Sequence, residues 1–243
     1  MPDWSVFPEG KHISVSQAKL CHQCMFAWKC RYVDKIKKPK SRIMEMGILF
    51  DALCNGENII TDSIVNVRYD SFKSHFNLDG WKQFPIWLPI TGTDYHVIGF
   101  ADLVEVDENN KPTLVVDHKF AEKPWTDFKY DTNKIQAQTY LAAMQYMGHD
   151  INKFQFRIAN VATTALQQFP AKKPYIPRKN TLTNTVQKYY NEAIGWIEAG
   201  WMEPEFNDLC EWDGGKCNYK TECEKYLSKG LKTDAKITET LTR

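Results

Sequence analysis

HVIGFADLVEVDENNKPTLVVDHKF, residues 96 to 120, consists of two apolar runs joined by Asp107-Glu108-Asn109-Asn110. Aspartate and asparagine bond to their own backbone and tolerate left-handed conformations, so the pattern reads as a β-hairpin. Centring the turn between Asn109 and Asn110 puts Asp102 directly opposite Asp117. Side chains alternate along a strand, so Lys119 projects on the same face as Asp117. Phe100, Val104 and Val115 share that face, and Leu103, Leu114 and Val116 line the other.

Two carboxylates facing each other in an apolar sheet repel and are expensive to bury. A bound divalent cation offsets that cost, and hard oxygen ligands suit Mg²⁺ or Mn²⁺. Lys119 then adds a fixed positive charge able to position a water or stabilise charge building on a phosphoryl oxygen. The plainer alternative is an ion pair between Asp117 and Lys119, with Asp102 at a strand end near solvent. The mirrored aspartates and their apolar flanks favour the metal site.

Outward from the hairpin, the spacing predicts a helix from Ser14 or Ser16 to about Val33 and a second over Ile43 to Glu57. A looser stretch runs to about Gly80, followed by extended segments at 84–90, 94–106 and 112–120. A helix from about Thr132 to Met147 precedes strands at 152–160 and 163–169. A proline-punctuated loop leads to a helix from Leu182 to Ala199, and a polar tail, Lys229 to Arg243, is expected to fray. This order describes an α/β fold with a central mixed sheet flanked by helices.

At 243 residues, the chain is the size of one elaborated domain, or of one domain with a small appendage. No apolar run reaches the ~20 residues that span a bilayer, and Lys11 and His12 interrupt any signal-peptide core. No membrane association and a cytoplasmic location are therefore expected, with cysteines that are reduced thiols or metal ligands. The balance of 31 Lys+Arg against 30 Asp+Glu argues against nucleic acid at first sight. It conceals a basic stretch, Lys29 to Arg42, that contains Lys35, Lys37, Lys38, Lys40 and Arg42 against the single Asp34. Such a run is commonly just a solvated face, but it also suits a phosphate backbone. A second basic group comprises Lys172, Lys173, Arg178 and Lys179.

The segments Gly99-Phe100-Ala101-Asp102 and Val115-Val116-Asp117-His118-Lys119 together resemble the G-x-x-D…(D/E)-x-K core of the PD-(D/E)xK nucleases. Gln136 and Tyr140 match the Q-x-x-x-Y element of the RecB-like branch, and a spacing of four puts both on one helical face. Ser16 through Cys24 to Tyr32, then Asp34-Lys35-Ile36, is similar to that branch's N-terminal signature. Gly47 to Asp51 resembles its G-x-x-x-H motif, with Asp51 where the family usually has a metal-contacting histidine. Aspartate is also a competent hard ligand.

The resemblance is nearest the CRISPR-adaptation-associated exonucleases and implies a restriction-endonuclease-like core. The expected organisation is a single nuclease domain, 1–228, in which 13–35 and 205–226 form a joint cysteine-bearing appendage. It further implies a Mg²⁺- or Mn²⁺-dependent deoxyribonuclease that favours single-stranded ends, in recombination, repair, replication or defence. Asp102, Asp117, the backbone carbonyl of His118 and Asp51 would hold the metal; Lys119, Gln136 and Tyr140 complete the catalytic set. A helicase, recombinase or integrase is an expected partner.

Six of the seven cysteines fall in two clusters, Cys21, Cys24, Cys30 and Cys210, Cys217, Cys223. Four thiolates suit Zn²⁺ or an iron–sulfur cluster. Some relatives use one early and three late cysteines for a [4Fe–4S] cluster, which here points to Cys24, Cys210, Cys217 and Cys223. Cys21 and Cys30 are spare candidates, and buried thiols on an amphipathic helix explain those two equally well. The substitution at Asp51 leaves a second functional reading open, a DNA-binding or scaffold module of the same fold without turnover.

Overall fold

The computed structural model describes residues 4–163, 166–170, 175, 179–204, 210 and 217–228. The chain divides into two compact units, Met1–Val15 with Lys40–Asn191, and Ser16–Pro39 with Glu192–Arg243. Among the described residues, no helix is long and apolar enough to cross a membrane.

The first unit is built on a six-stranded mixed sheet. Its strands are β1 (Lys11–Ser14), β2 (Trp81–Pro89), β3 (Tyr95–Val106), β4 (Pro112–Ala121), β5 (Phe154–Asn160) and β6 (Leu166–Phe169). The order is β1-β3-β4-β5-β6, with β2 also paired to β3. β1 with β3 and β4 with β5 are parallel; the other pairs are antiparallel. Pro85 and Pro89 lie on β2, the strand whose outer edge needs no ladder donors.

The central hairpin pairs Leu103 with Val116, Val104 with Val115 and Glu105 with Leu114. That is the register of a turn centred between Asn109 and Asn110; a bulge then brings Val106 opposite Pro112. Asp107 organises the turn, its Oδ1 accepting the amides of Asn109 and Lys111 at 2.9 Å each. Asn110 takes the left-handed conformation, φ 58°, which asparagine tolerates well.

Helices α3 (Arg42–Cys54) and α4 (Ser63–His75) pack on the sheet through a core of Met46, Phe50, Cys54, Val65, Phe72, Phe76 and Ala159. Capping side chains start both: the Met44 amide donates to the Ser41 hydroxyl at 3.4 Å, and the Ile64 amide to Asp62 Oδ1 at 2.7 Å. Phe50 meets Phe72 and Phe120, each with ring centres 5.0 Å apart. Helix α5 (Asp127–Tyr146), capped by Thr126, buries Ala137, Tyr140, Leu141 and Met144. Tyr140 packs edge-on to Phe154, and the Thr139 hydroxyl lies 3.3 Å from that of Tyr190, which is on α6 (Lys179–Glu198).

α4 falls in the stretch expected to be loose, and β1 is an additional strand. Both elements depend on tertiary partners: α4 on the aromatic core and β1 on parallel pairing with β3. Helix α5 begins at Asp127, earlier than Thr132, because Thr126 caps it.

In the second unit the expected N-terminal helix is broken. α1 (Val15–Gln23) stops at Cys24, whose extended backbone (φ −169°, ψ 113°) caps α2 (Met25–Trp28), and Lys29–Val33 continues as a π-helical turn. Here the cysteine acts as an N-cap, its Sγ accepting the Ala27 amide at 3.4 Å. Phe26, Ala27, Cys30 and Tyr219 form a small core, with Leu20, Cys24, Ile36, Cys217 and Cys223 packed against it. Residues 220–228 are helical. The expected frayed tail and the basic residues Lys172, Lys173 and Arg178 lie outside the described residues.

Candidate active site

β3 has three partners. β2 pairs with it from His96 to Val104, so β1 and β4 must share its opposite edge. β1 takes Tyr95 to Ile98, and β4 takes Leu103 to Val106. Gly99 to Asp102 lies in the fork between those two strands. At the fork the ladder gives way to a side chain: the His118 amide donates to Asp102 Oδ2 at 2.7 Å. Asp102 is thereby fixed one residue past the last β3–β4 pair.

β4 aims its alternate residues in opposite directions. His118 meets Phe72 edge-on at 5.3 Å, and Phe120 packs on Phe50, which anchors that set against α3 and α4. Asp117 and Lys119 consequently face the α5 side. Asp117 is 2 % exposed. The Lys119 ammonium lies 2.5 Å from Asp117 Oδ2, and Gln136 Nε2 donates to Asp117 Oδ1 at 2.6 Å. The same Gln136 nitrogen donates to the Tyr140 hydroxyl at 3.3 Å. Asp117, Lys119, Gln136 and Tyr140 thus form one connected network.

The electrostatics follow from burial and charge count. Burial first, and then the charge of Asp117, lifts the Asp102 carboxyl well above the ordinary carboxylate range. Asp51, on α3, is raised for the same two reasons, with Lys119 opposing. Burial works against the Lys119 charge, but Asp117 and Asp102 outweigh it and hold that pKa above the ordinary lysine value. Tyr140 is pushed far up by burial and by the two aspartates, so its hydroxyl keeps its proton. His118 is pushed down to about 3, by burial and then by Arg157. Its ring is therefore neutral, and neither ring nitrogen has a hydrogen-bond partner among the described residues.

Asp51, Asp102 and Asp117 thus share one electrostatic neighbourhood with the Lys119 ammonium. That excess of hard anionic oxygen fits a divalent cation of the Mg²⁺ type. Among the described residues, no three His, Cys, Asp or Glu side chains are drawn together as a ready metal-binding group. Glu57, which also acts on Asp51, was not legible as part of the site. It comes close because α3 ends in a turn at Gly56, where the Glu57 amide returns to the Ala52 carbonyl at 3.0 Å.

Part of the basic stretch is engaged in ion pairs. Lys38 is bound to Glu222 at 2.8 Å, and Arg42 lies 3.5 Å from Asp62. Lys35, Lys37 and Lys40 are exposed. Within the second unit, Cys24, Cys217 and Cys223 share the small core with Cys30. The Cys223 thiol is raised by burial and then by Cys24, Cys210 and Cys217, so those three thiols lie within electrostatic reach of Cys223. Cys21 is buried, its thiol pushed up to about 12 by desolvation, and Cys54 belongs to the α3–α4 core.

These shifts carry a pH dependence with a definite sign. A carboxyl whose folded pKa is raised holds its proton better folded than unfolded. Its contribution to stability is complete below the unfolded value near ~4 and is lost as pH rises through the folded value. Asp102→Asn removes one charge and keeps the oxygen that accepts the His118 amide. Its melting temperature in chelator should exceed that of the wild type near neutral pH, with the gain shrinking towards ~pH 4. Equal melting temperatures at neutral pH would contradict the repulsion.

A model of the PD-(D/E)XK nuclease superfamily matches residues 60–224. No curated protein matches the chain. The solved structures similar to it include the crystal structure of SSO0001, at 17 % identity over 86 % of this chain and 85 % of that one, with a TM-score of 0.48. Asp102, Asp117, Lys119, Gln136 and Tyr140 all fall within the matched residues, and the chain belongs to the PD-(D/E)XK nuclease superfamily.

Proposed function

We propose that the chain is a Mg²⁺- or Mn²⁺-dependent deoxyribonuclease that hydrolyses phosphodiesters from single-stranded ends. The observation that carries this reading is the concentration of Asp51, Asp102 and Asp117 around the Lys119 ammonium at the β3–β4 fork. Asp102, Asp117, the His118 backbone carbonyl and Asp51 would hold the cation. When bound, it supplies Lewis acidity and lowers the pKa of a water that becomes the nucleophile.

The chain's own residues do the rest. Lys119 keeps its proton, and its ammonium is available to neutralise charge developing on a phosphoryl oxygen. Gln136 fixes one Asp117 oxygen, and the protonated Tyr140 holds Gln136 in place. Exposed Lys35 and Lys37 in one unit, and Lys40 in the other, would contact strand phosphates; Lys38 and Arg42 would first have to leave Glu222 and Asp62. The preference for single strands, exonuclease action and a helicase, recombinase or integrase partner in DNA recombination, repair, replication or defence rest on the RecB-like resemblance alone. The wild type should degrade labelled single strands in Mn²⁺, and Lys119→Ala should lose at least ~100-fold in rate. Equal activity in the two would remove Lys119 from catalysis. Inactivity of both would favour the reading prompted by Asp51, a DNA-binding or scaffold protein without turnover.

We also infer that the second unit is a cysteine-bearing appendage in which Cys24, Cys210, Cys217 and Cys223 bind a [4Fe–4S] cluster, with Zn²⁺ as the alternative. The shared core of Cys24, Cys217 and Cys223 and the influence of Cys24, Cys210 and Cys217 on Cys223 support it. Anaerobically purified protein should be brown and absorb near ~400 nm, and Cys223→Ser should be bleached. A colourless protein with stoichiometric zinc would replace the cluster by zinc.

A further inference from the structure

The second unit holds a cavity of about 210 Å³ lined by Cys21, His22, Met25, Trp196 and Trp201. The way α6 ends positions both indoles. The Trp201 amide returns to the Trp196 carbonyl at 3.1 Å and the Gly200 amide to the Ile197 carbonyl at 3.2 Å, with Gly200 left-handed at φ 67°. That is the Schellman pattern, which fixes the residue after the glycine beside the last helical turn. From the last turn of α1, His22 meets Trp196 edge-on at 4.8 Å. Cys21 and Met25, both buried, complete the lining.

An apolar contact between the two positions that Trp196 and Trp201 occupy commonly accompanies such a cap. That role alone does not account for Trp201. Its side chain is 55 % exposed, no ring contacts it among the described residues, and it lines the cavity with Trp196 instead of closing it. An indole left in water is apolar surface that a partner gains by covering.

Charge decides what fits. The lining carries no lysine, arginine or carboxylate. Every charged residue from 189 to 215 is acidic, however, and Glu192, Glu198 and Glu203 bracket the two tryptophans along the chain. The carbonyl end of α6 adds partial negative charge at the same place. Lys19, one turn before His22, is the opposing ammonium on α1. A nucleobase would bring its own phosphates into this acidic surrounding. A guanidinium gains from it: it is weakly hydrated, stacks on indole faces and donates to carbonyl oxygens. We propose that this cleft is a docking site for a basic segment of a partner protein, with an arginine side chain seated against Trp196 and Trp201. Recruitment through it is independent of the chemistry at the fork.

The test uses the full chain and a fluorescein-labelled peptide of alternating glycine and arginine, read by anisotropy. Its counterpart with citrulline keeps the shape of the side chain and removes the charge. Trp201 is exposed, so replacing it opens no core cavity. Wild type should bind the arginine peptide and discriminate against citrulline. Trp201→Ala and Trp201→Leu should each weaken the arginine peptide by ~5-fold, and Trp201→Phe should recover part of the loss. Equal affinity in wild type and Trp201→Ala would reduce the effect to general attraction by acidic residues and overturn the proposal. Full affinity in Trp201→Leu overturns it as well, because leucine supplies apolar cover without a π face. So does absence of peptide binding by the wild type. Loss of labelled oligothymidine binding in Trp201→Ala, with the peptide unaffected, would assign the cleft to a base instead.

Discussion

The repulsion among Asp51, Asp102 and Asp117, opposed inside the protein by Lys119, is the constraint around which the first unit is arranged. Carboxylates held within electrostatic reach of one another from a helix and two strands do not stay there by themselves; the scaffold has to overdetermine their positions. Asp102 is held by the His118 amide, and Asp117 by Gln136 and Lys119. Asp51 rides on a helix that is locked into the aromatic core by Met46, Phe50 and Cys54. Folding therefore stores an electrostatic cost at one place, a recurrent property of sites that work on charged substrates.

The division of β3 makes that place accessible. A strand paired along its full length on both edges would leave no room beside Asp102. Giving one edge to β2 and splitting the other between parallel β1 and antiparallel β4 leaves Gly99 to Asp102 without a ladder on that side. The turn at Asp107 to Lys111 sets the hairpin register, and the Phe72 and Phe50 contacts to His118 and Phe120 set which way β4 faces. Local turn chemistry and tertiary aromatic packing agree on the same orientation of Asp117 and Lys119.

That agreement explains which parts were legible from the residues alone. The Asp107–Asn110 turn is local, so the register of Asp102 and Asp117 could be counted from it, and the spacing of Gln136 and Tyr140 follows from helical geometry. β1 was not legible because four residues in parallel pairing depend on a partner far along the chain. α4 was missed because Val65 and Phe72 are its only fully buried residues; Asp62 before Ser63 was the available signal. The basic run looked uniform, yet Lys38 and Arg42 are committed to Glu222 and Asp62, pairings no local pattern encodes. Glu57 owes its position to the turn after α3.

Cation binding at the fork is the most direct test of the account. Calorimetric titration of the purified protein with Mn²⁺ should give a saturable signal in the wild type that disappears in Asp117→Asn. Undiminished Mn²⁺ binding by that variant, or no binding by the wild type, would contradict the assignment of the buried carboxylates as the metal site.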